Sequence, residues 1–198
     1  MQTSLLRSRA QGFAIEEDYE YALVVSPTED VNALVAEEMR QFYAAYKHKA
    51  ATLTRPHIVV TKFFAKQAME ETIIRYMRRI AAMQKSFLVM LNNYSCNPVN
   101  NIFIRVQEQE PFKQLFDALA PVNQYIQRSG YPAATRIARP HIALAKKLQQ
   151  QVYYKAIFDY SQKSFNASFI VNELILLKRR THFDEFKQVN IFKLADNE

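Results

Sequence analysis

The chain has 198 residues, a net charge of +7 and 49% apolar residues, which fits one globular domain with room for two lobes around a shared cleft. Its two glycines, Gly12 and Gly130, are too few and too far apart for a Walker loop or a dinucleotide-binding fingerprint, and a single cysteine excludes an internal disulfide or a cysteine-rich zinc site. No apolar stretch approaches the roughly 20 residues that cross a bilayer, so no membrane association is expected.

The N-terminal segment lacks the features of a secretion signal. Residues 1–20 carry arginines followed by acidic residues, with no continuous apolar core. We therefore expect a cytoplasmic protein, in agreement with the lone thiol of Cys96. Residues 1–18 are interpreted as a flexible N-terminal extension of a single domain that spans residues 1–198. The positive charge favours phosphate-bearing partners, although a modest positive balance is also common in proteins that never bind nucleic acid.

Short runs of β-branched and apolar residues predict the strands. The first lies at residues 21–25 and ends before Ser26-Pro27. The others lie at residues 57–64, 87–91, 102–106, 141–145, 167–177 and 188–194. Residues 92–101 are expected to form a polar loop, in which Tyr94 is a candidate contact for a base or a sugar.

Apolar residues at helical spacing predict four helices. Thr28 is placed as the N-cap of the first. The second covers residues 67–83, the third runs from Pro111 to about Ile126, and the fourth covers residues 149–160. Strands and helices alternate without the glycine-rich turns of a nucleotide-binding sheet. The order therefore predicts an α+β fold with antiparallel or mixed sheets.

One tetrapeptide occurs twice: Arg-Pro-His-Ile at residues 55–58 and again at residues 139–142, 84 residues later. Two of the four histidines, His57 and His141, therefore open two apolar runs in matching contexts. Proline suits the first residue of a strand, where its missing N–H costs little, and an internal repeat indicates duplicated architecture. Two copies packed about a pseudo-two-fold axis would bring both histidines to one cleft.

A convergent histidine pair can supply a general base and a general acid, because a pKa of about 6.5 allows one neutral and one protonated imidazole near neutral pH. Around one phosphate such imidazoles would stand on the order of 5–8 Å apart. The strand period of two places Val59 and Thr61 on the face of His57, and Ala143 on that of His141. The alternative is two strand-start histidines with backbone partners only, and the matching tetrapeptides favour the functional interpretation.

The two copies resemble the signature of the 2H phosphoesterase superfamily, the LigT-like proteins often named 2′-5′ RNA ligases. That signature is a duplicated His-h-[Thr/Ser]-h motif, where h is hydrophobic, and here the copies stand at residues 57–60 and 141–144. The likeness includes the opening strand at 21–25 and the closing strands at 173–178 and 189–194, and so covers most of the chain. It implies a bilobal α+β fold, with two pseudo-symmetric lobes around a central cleft.

Proteins of this family open 2′,3′-cyclic phosphates, or cleave related phosphodiesters on RNA ends or nucleotides, without a metal or other cofactor. The resemblance implies that one of His57 and His141 activates water while the other protonates the leaving oxygen. The sequence does not assign which is acid and which is base. The implied partner is a nucleotide, an RNA terminus or a small phosphorylated metabolite, and we expect a monomer.

Both hydroxyl positions of the motif are changed in this chain. They are occupied by Val59 and Ala143, and neither side chain can donate a hydrogen bond. Removing one transition-state donor typically costs about 10²–10³ in rate. Two other functions therefore stay open: a binding module that keeps the fold without the chemistry, and a cleft for a less charged ligand such as a sugar or a lactone.

Four residues are candidates for binding the substrate: Thr61, Lys146, Lys178 and Arg179. Thr61 is expected one pleat beyond the first histidine. Lys146 follows the second motif where relatives often carry an arginine, although a regular strand would point it away from His141. Lys178 and Arg179 end the penultimate strand, and are expected either at the cleft mouth or in a solvated turn.

The remaining histidines are expected at the surface. His48 lies beside Lys47 near a helix end, and His182 lies in the turn before the last strand. A zinc site built from His57, His141 and an acidic residue has no compact ligand spacing in the sequence, so no metal is predicted.

Overall fold

The computed structural model describes residues 17–48 and 55–196, so most of the expected N-terminal extension lies outside the described residues. The described residues form nine strands: β1 (Asp18–Val25), β2 (Ile58–Lys66), β3 (Phe87–Asn97), β4 (Asn101–Val106), β5 (Thr135–Arg136), β6 (His141–Ala145), β7 (Asn166–Val171), β8 (Glu173–Arg179) and β9 (Lys187–Lys193). They also form five α-helices: α1 (Glu29–Tyr46), α2 (Glu70–Ala81), α3 (Glu110–Ala118), α4 (Ala120–Arg128) and α5 (Gln150–Ser161). None of these helices is long and apolar enough to span a bilayer.

The nine strands of the described residues join one sheet. Their order is β7-β3-β4-β6-β2-β1-β8-β9, with β5 paired to β2. The strand pairs are antiparallel, which confirms the predicted α+β fold. The order divides the sheet into two four-stranded lobes, β7-β3-β4-β6 and β2-β1-β8-β9, which meet where β6 pairs with β2.

The sheet is curled into a half-barrel. Only Asn172 separates β7 from β8, although these strands belong to different lobes, so the far parts of the sheet must approach each other. Lys85, just before β3, forms a bridge with Ala195, just after β9, and the Leu194 N–H donates to the Asn172 carbonyl at 2.9 Å. The single strand predicted for residues 167–177 is therefore wrong, because the chain changes lobes at Asn172.

Two other predicted elements are also corrected. Residues 92–101 are not a loop: β3 continues to Asn97, and a bulge near Asn93, which has a φ of 54°, preserves the pairing with β4. The single helix predicted from Pro111 is divided into α3 and α4. Pro121 has no N–H to donate, and its ring would clash with the carbonyl of the preceding turn, so the helix ends and begins again.

The strands contribute alternate residues to a single hydrophobic core, together with the apolar faces of the helices. The residues between them remain partly exposed on the other face of the sheet. That face carries His57, Val59, His141 and Ala143, and is called the histidine face below. The candidate site predicted from the repeated tetrapeptide therefore lies on the opposite side of the sheet from most of the core.

The junction of the two lobes gives a test of the fold. Ile58 pairs with Ile142 there, and both side chains are fully buried. Ile142→Ala removes buried methyl and methylene groups, and is expected to lower the free energy of unfolding by about 2–5 kcal/mol. Chemical denaturation measures the loss, with Ile191→Ala at a 40% exposed position as the control. A loss below about 1 kcal/mol for Ile142→Ala would contradict this packing.

Candidate functional site

The register at the centre of the sheet brings the two histidines onto one face. Ile58 pairs with Ile142 in antiparallel orientation, so the same register sets His57 opposite Ala143, and His141 opposite Val59. These four side chains form a square in which the histidines occupy one diagonal. Diagonal neighbours of this kind lie about 7–8 Å apart, and their Cβ atoms are somewhat closer. One phosphate can bridge this separation.

A cavity of about 160 Å³ lies at this square. Its lining includes both histidines, both changed motif positions and two lysines: His57, His141, Val59, Ala143, Lys62 and Lys146. A water molecule takes about 30 Å³ in the liquid, so the cavity accommodates a group of several heavy atoms, such as a phosphate.

Each imidazole is oriented by the same backbone contact. Nδ1 of His57 lies 2.8 Å from the carbonyl oxygen of Arg55, and Nδ1 of His141 lies 2.8 Å from that of Arg139. A carbonyl oxygen only accepts, so each Nδ1 carries a proton. A neutral ring then has its lone pair on Nε2, as a general base requires. The matching contact is the structural counterpart of the repeated tetrapeptide.

Partial burial lowers the pKa of both imidazoles below the ordinary value of 6.5. The bonded carbonyl oxygens act in the opposite direction, while the positive charge of Lys146 lowers the pKa of both rings further, and Lys62 lowers that of His57. Both rings are therefore mostly neutral at pH 7 in the free protein. An anion in the cavity would offset these effects and favour the protonated ring that a general acid needs.

A β-bulge in β2 changes the residues that face the cavity. Consecutive residues of β1 pair with Val59 and Thr61, so Val60 is an extra residue. The bulge reverses the alternation and turns Thr61 into the core, where it is 2% exposed and its hydroxyl donates to the Thr135 carbonyl at 3.0 Å. The expectation that Thr61 lies on the histidine face is therefore wrong, and Lys62 takes that place.

The strand β6 has a bulge at the equivalent position. Consecutive residues of β4 pair with Ala143 and Ala145, which makes Leu144 the extra residue. Ala145 is buried, and Lys146 returns to the histidine face and lines the cavity. The expectation from regular strand geometry, that Lys146 points away from His141, is wrong because the strand is not regular here.

Lys62 is a cavity residue that the sequence prediction missed. It follows His57 by five positions, as Lys146 follows His141. A comparison of the two copies that extended beyond the tetrapeptide would therefore have identified it.

Although Lys146 is exposed at the cavity mouth, partial desolvation by neighbouring protein atoms lowers the pKa of its ammonium, and the charges of Lys62 and Arg179 lower this pKa further. Lys62 and Arg179 therefore both repel the Lys146 ammonium.

Lys178 and Arg179 end β8 and face opposite ways. Lys178 forms an ion pair with Glu70 at 2.6 Å, and is turned away from the cavity, contrary to the expectation. The Arg179 guanidinium donates to the Glu20 carboxylate at 2.6 Å, and the same carboxylate lies 3.5 Å from the Lys62 ammonium. Of the two residues, Arg179 is the one connected to a cavity lysine, through the carboxylate that it shares with Lys62.

The other candidates do not line the cavity. Tyr94 belongs to β3 and packs edge-on against Tyr160, with ring centroids 4.7 Å apart, so it is not a loop contact. His48 is partly buried, and its Nε2 lies 3.0 Å from the Lys146 carbonyl oxygen, while His182 lies in the exposed turn after β8. Within the part of the chain that the structure describes, no group of three histidine, cysteine or acidic side chains could hold a metal ion.

The curled antiparallel sheet, with one histidine from each lobe at the junction, defines a 2H phosphoesterase-like protein. The family model of the 2′-5′ RNA ligase superfamily matches residues 27–182. The chain belongs to this superfamily, which confirms the resemblance of the duplicated histidine motif. No curated protein matches the sequence at a significant level.

Solved structures share this fold over nearly the whole chain. E. coli LigT, crystallised with 3′-AMP, has a TM-score of 0.66 and 16% identity over 90% of this chain and 99% of its own. The protein TT0787 of Thermus thermophilus has a TM-score of 0.64 and 15% identity over 90% of this chain and 100% of its own. E. coli LigT complexed with NADP+ has a TM-score of 0.63 and 14% identity, over 90% of this chain and 99% of its own. At these identities the likeness is one of fold.

The lowered pKa values predict a pH-dependent stability. Because folding lowers the pKa of His57 and His141, the unfolded chain binds more protons than the folded chain as the pH falls below about 6.5, and acid destabilises the protein. Thermal unfolding between about pH 7.5 and 5 should show a steeper loss for the wild type than for the His57→Gln/His141→Gln double variant. Equal slopes for the two proteins would contradict the assigned pKa directions.

Proposed function

We propose that the protein hydrolyses a phosphodiester of the 2′,3′-cyclic type, at a nucleotide or an RNA terminus, by two-histidine acid–base catalysis. The observation that carries the proposal is the convergence of His57 and His141 on one cavity, each with Nδ1 held by a backbone carbonyl. Membership of the 2′-5′ RNA ligase superfamily supports this class of reaction. The 3′-AMP and ATP complexes of E. coli LigT support a nucleotide as the ligand class.

The proposed reaction uses the two rings in different protonation states. Nε2 of the neutral ring removes a proton from water, and the water oxygen attacks phosphorus. The bond from phosphorus to one ribose oxygen breaks, and the protonated ring donates its proton to that oxygen. The product is a phosphate monoester, and the rings finish with their protonation states exchanged. The rate therefore follows a bell-shaped pH profile that belongs to the histidine pair.

Val59 and Ala143 favour a second candidate function, a binding module that has lost catalysis. They set apolar carbons where the family motif has hydroxyls, which removes two donors to the phosphoryl oxygens. Such a module would bind a nucleotide or a phosphorylated metabolite without turnover. The less charged ligand considered from the sequence is disfavoured by Lys62 and Lys146 at the cavity.

Replacement of either histidine tests the enzymatic proposal. With a chelator present, adenosine 2′,3′-cyclic phosphate should be hydrolysed, and His57→Ala or His141→Ala should each slow the reaction about 10²–10⁴-fold, because each removes one proton transfer. His182→Ala, in an exposed turn, is the matched control and should retain the rate. Hydrolysis that is indifferent to both cavity substitutions would refute the proposal.

Restoration of the motif hydroxyls separates the enzyme from the binding module. The double variant Val59→Thr/Ala143→Thr should gain at least about tenfold in turnover, because it supplies the missing donors to an intact acid–base pair. Val99→Thr, at a 66% exposed turn position, is the control. Saturable binding of 3′-AMP by the double variant, with no turnover of the cyclic phosphate, would instead favour the binding module.

A further inference from the structure

The two bulges place one lysine from each copy of the repeat beside the same cavity. Val60 and Leu144 are the extra residues, and Lys62 and Lys146 follow them, each five positions after its histidine. Both lysines line the cavity. The lysines therefore repeat the arrangement of the histidines, with one cation from each lobe.

The charge near these lysines is only partly balanced. Glu20 is already engaged by Arg179 at 2.6 Å, and lies 3.5 Å from the Lys62 ammonium. The charges of Lys62 and Arg179 both oppose protonation of Lys146. Within the described part of the chain, the Glu20 carboxylate is thus shared between Arg179 and Lys62, and an anion in the cavity would relieve the mutual repulsion of the cations.

We propose that Lys62 and Lys146 form a two-sided clamp that binds the phosphoryl oxygens in place of the two lost hydroxyls, so that the site prefers a phosphoryl group with two negative charges to one with a single charge. The proposal rests on the proposed function, since it concerns the same cavity. Val59 and Ala143 leave the floor without donors, and the lysines supply donors from its edges.

An ammonium group distinguishes phosphoryl charge states in a way that a neutral hydroxyl does not. Its attraction grows with the charge of its partner. A cyclic phosphodiester carries one negative charge, whereas attack by deprotonated water produces a transition state with two. A phosphate monoester product also carries close to two at neutral pH, since its second pKa is about 6. The clamp would therefore favour the transition state over the substrate, and would also hold the product.

Calorimetric titration with two matched nucleotides tests the clamp. At about pH 7.5, adenosine 3′-monophosphate is mainly a dianion, and its methyl ester is a monoanion with the same base and sugar. The wild type should bind the monoester at least about tenfold more tightly. Lys62→Met and Lys146→Met should each reduce this preference about tenfold, while Lys62→Arg should retain it.

The control for these variants is Lys155→Met, which makes the same charge change on the exposed side of α5. It should bind both nucleotides as the wild type does. If each variant unfolds at the wild-type temperature, the changes in affinity come from the binding site and not from a loss of folding. Equal weakening of both ligands in Lys62→Met, no weakening, or no binding by the wild type would each overturn the clamp.

The clamp and the proposed hydrolysis can fail separately. A charge preference that depends on Lys62, without turnover of the cyclic phosphate, would support the clamp and remove only the enzymatic function. Turnover that depends on the histidines, without a charge preference, would remove only the clamp.

Discussion

The backbone pairing of β2 with β6 is the constraint on which the fold and the site both depend. It is centred on Ile58 and Ile142, it joins the two lobes, and it sets the motif histidines on one diagonal of a square. A slip of one residue between these strands would put the two imidazoles on opposite faces of the sheet, with one of them in the core. The same slip would expose one of the two fully buried isoleucines, so hydrophobic burial on one face of the sheet holds the histidine geometry on the other.

The lysines and the bulges require each other. If Val60 and Leu144 were ordinary strand residues rather than bulges, regular alternation would direct Lys62 and Lys146 into the hydrophobic core, where an unpaired ammonium is costly to bury. The bulges instead put Thr61 into the core, where its hydroxyl bonds to a backbone carbonyl, and bring the lysines to the cavity. The duplicated bulge therefore brings a pair of cations to a site whose floor offers no hydroxyl donors.

The sequence allowed prediction of the fold class and of the histidine face as far as Val59, because strand alternation holds up to the bulge. Beyond the bulges, strand alternation gave the wrong face for Thr61 and Lys146, although Lys146 was a candidate from its position after the second motif, and Lys62 was missed. Each bulge depends on pairing with a neighbouring strand, which a local pattern does not contain. The same reason explains the single strand predicted across Asn172: the apolar pattern continues there, while the pairing partners change from one lobe to the other.

Long-range ¹H–¹⁵N NMR of the imidazoles, during titration with inorganic phosphate, tests most directly whether both histidines serve one ligand. In the free protein at about pH 7.5, both rings should be neutral tautomers protonated at Nδ1. Phosphate should then shift the Nε2 signals of His57 and His141 together, with a single dissociation constant. A shift confined to one ring, or two different dissociation constants, would contradict a shared site.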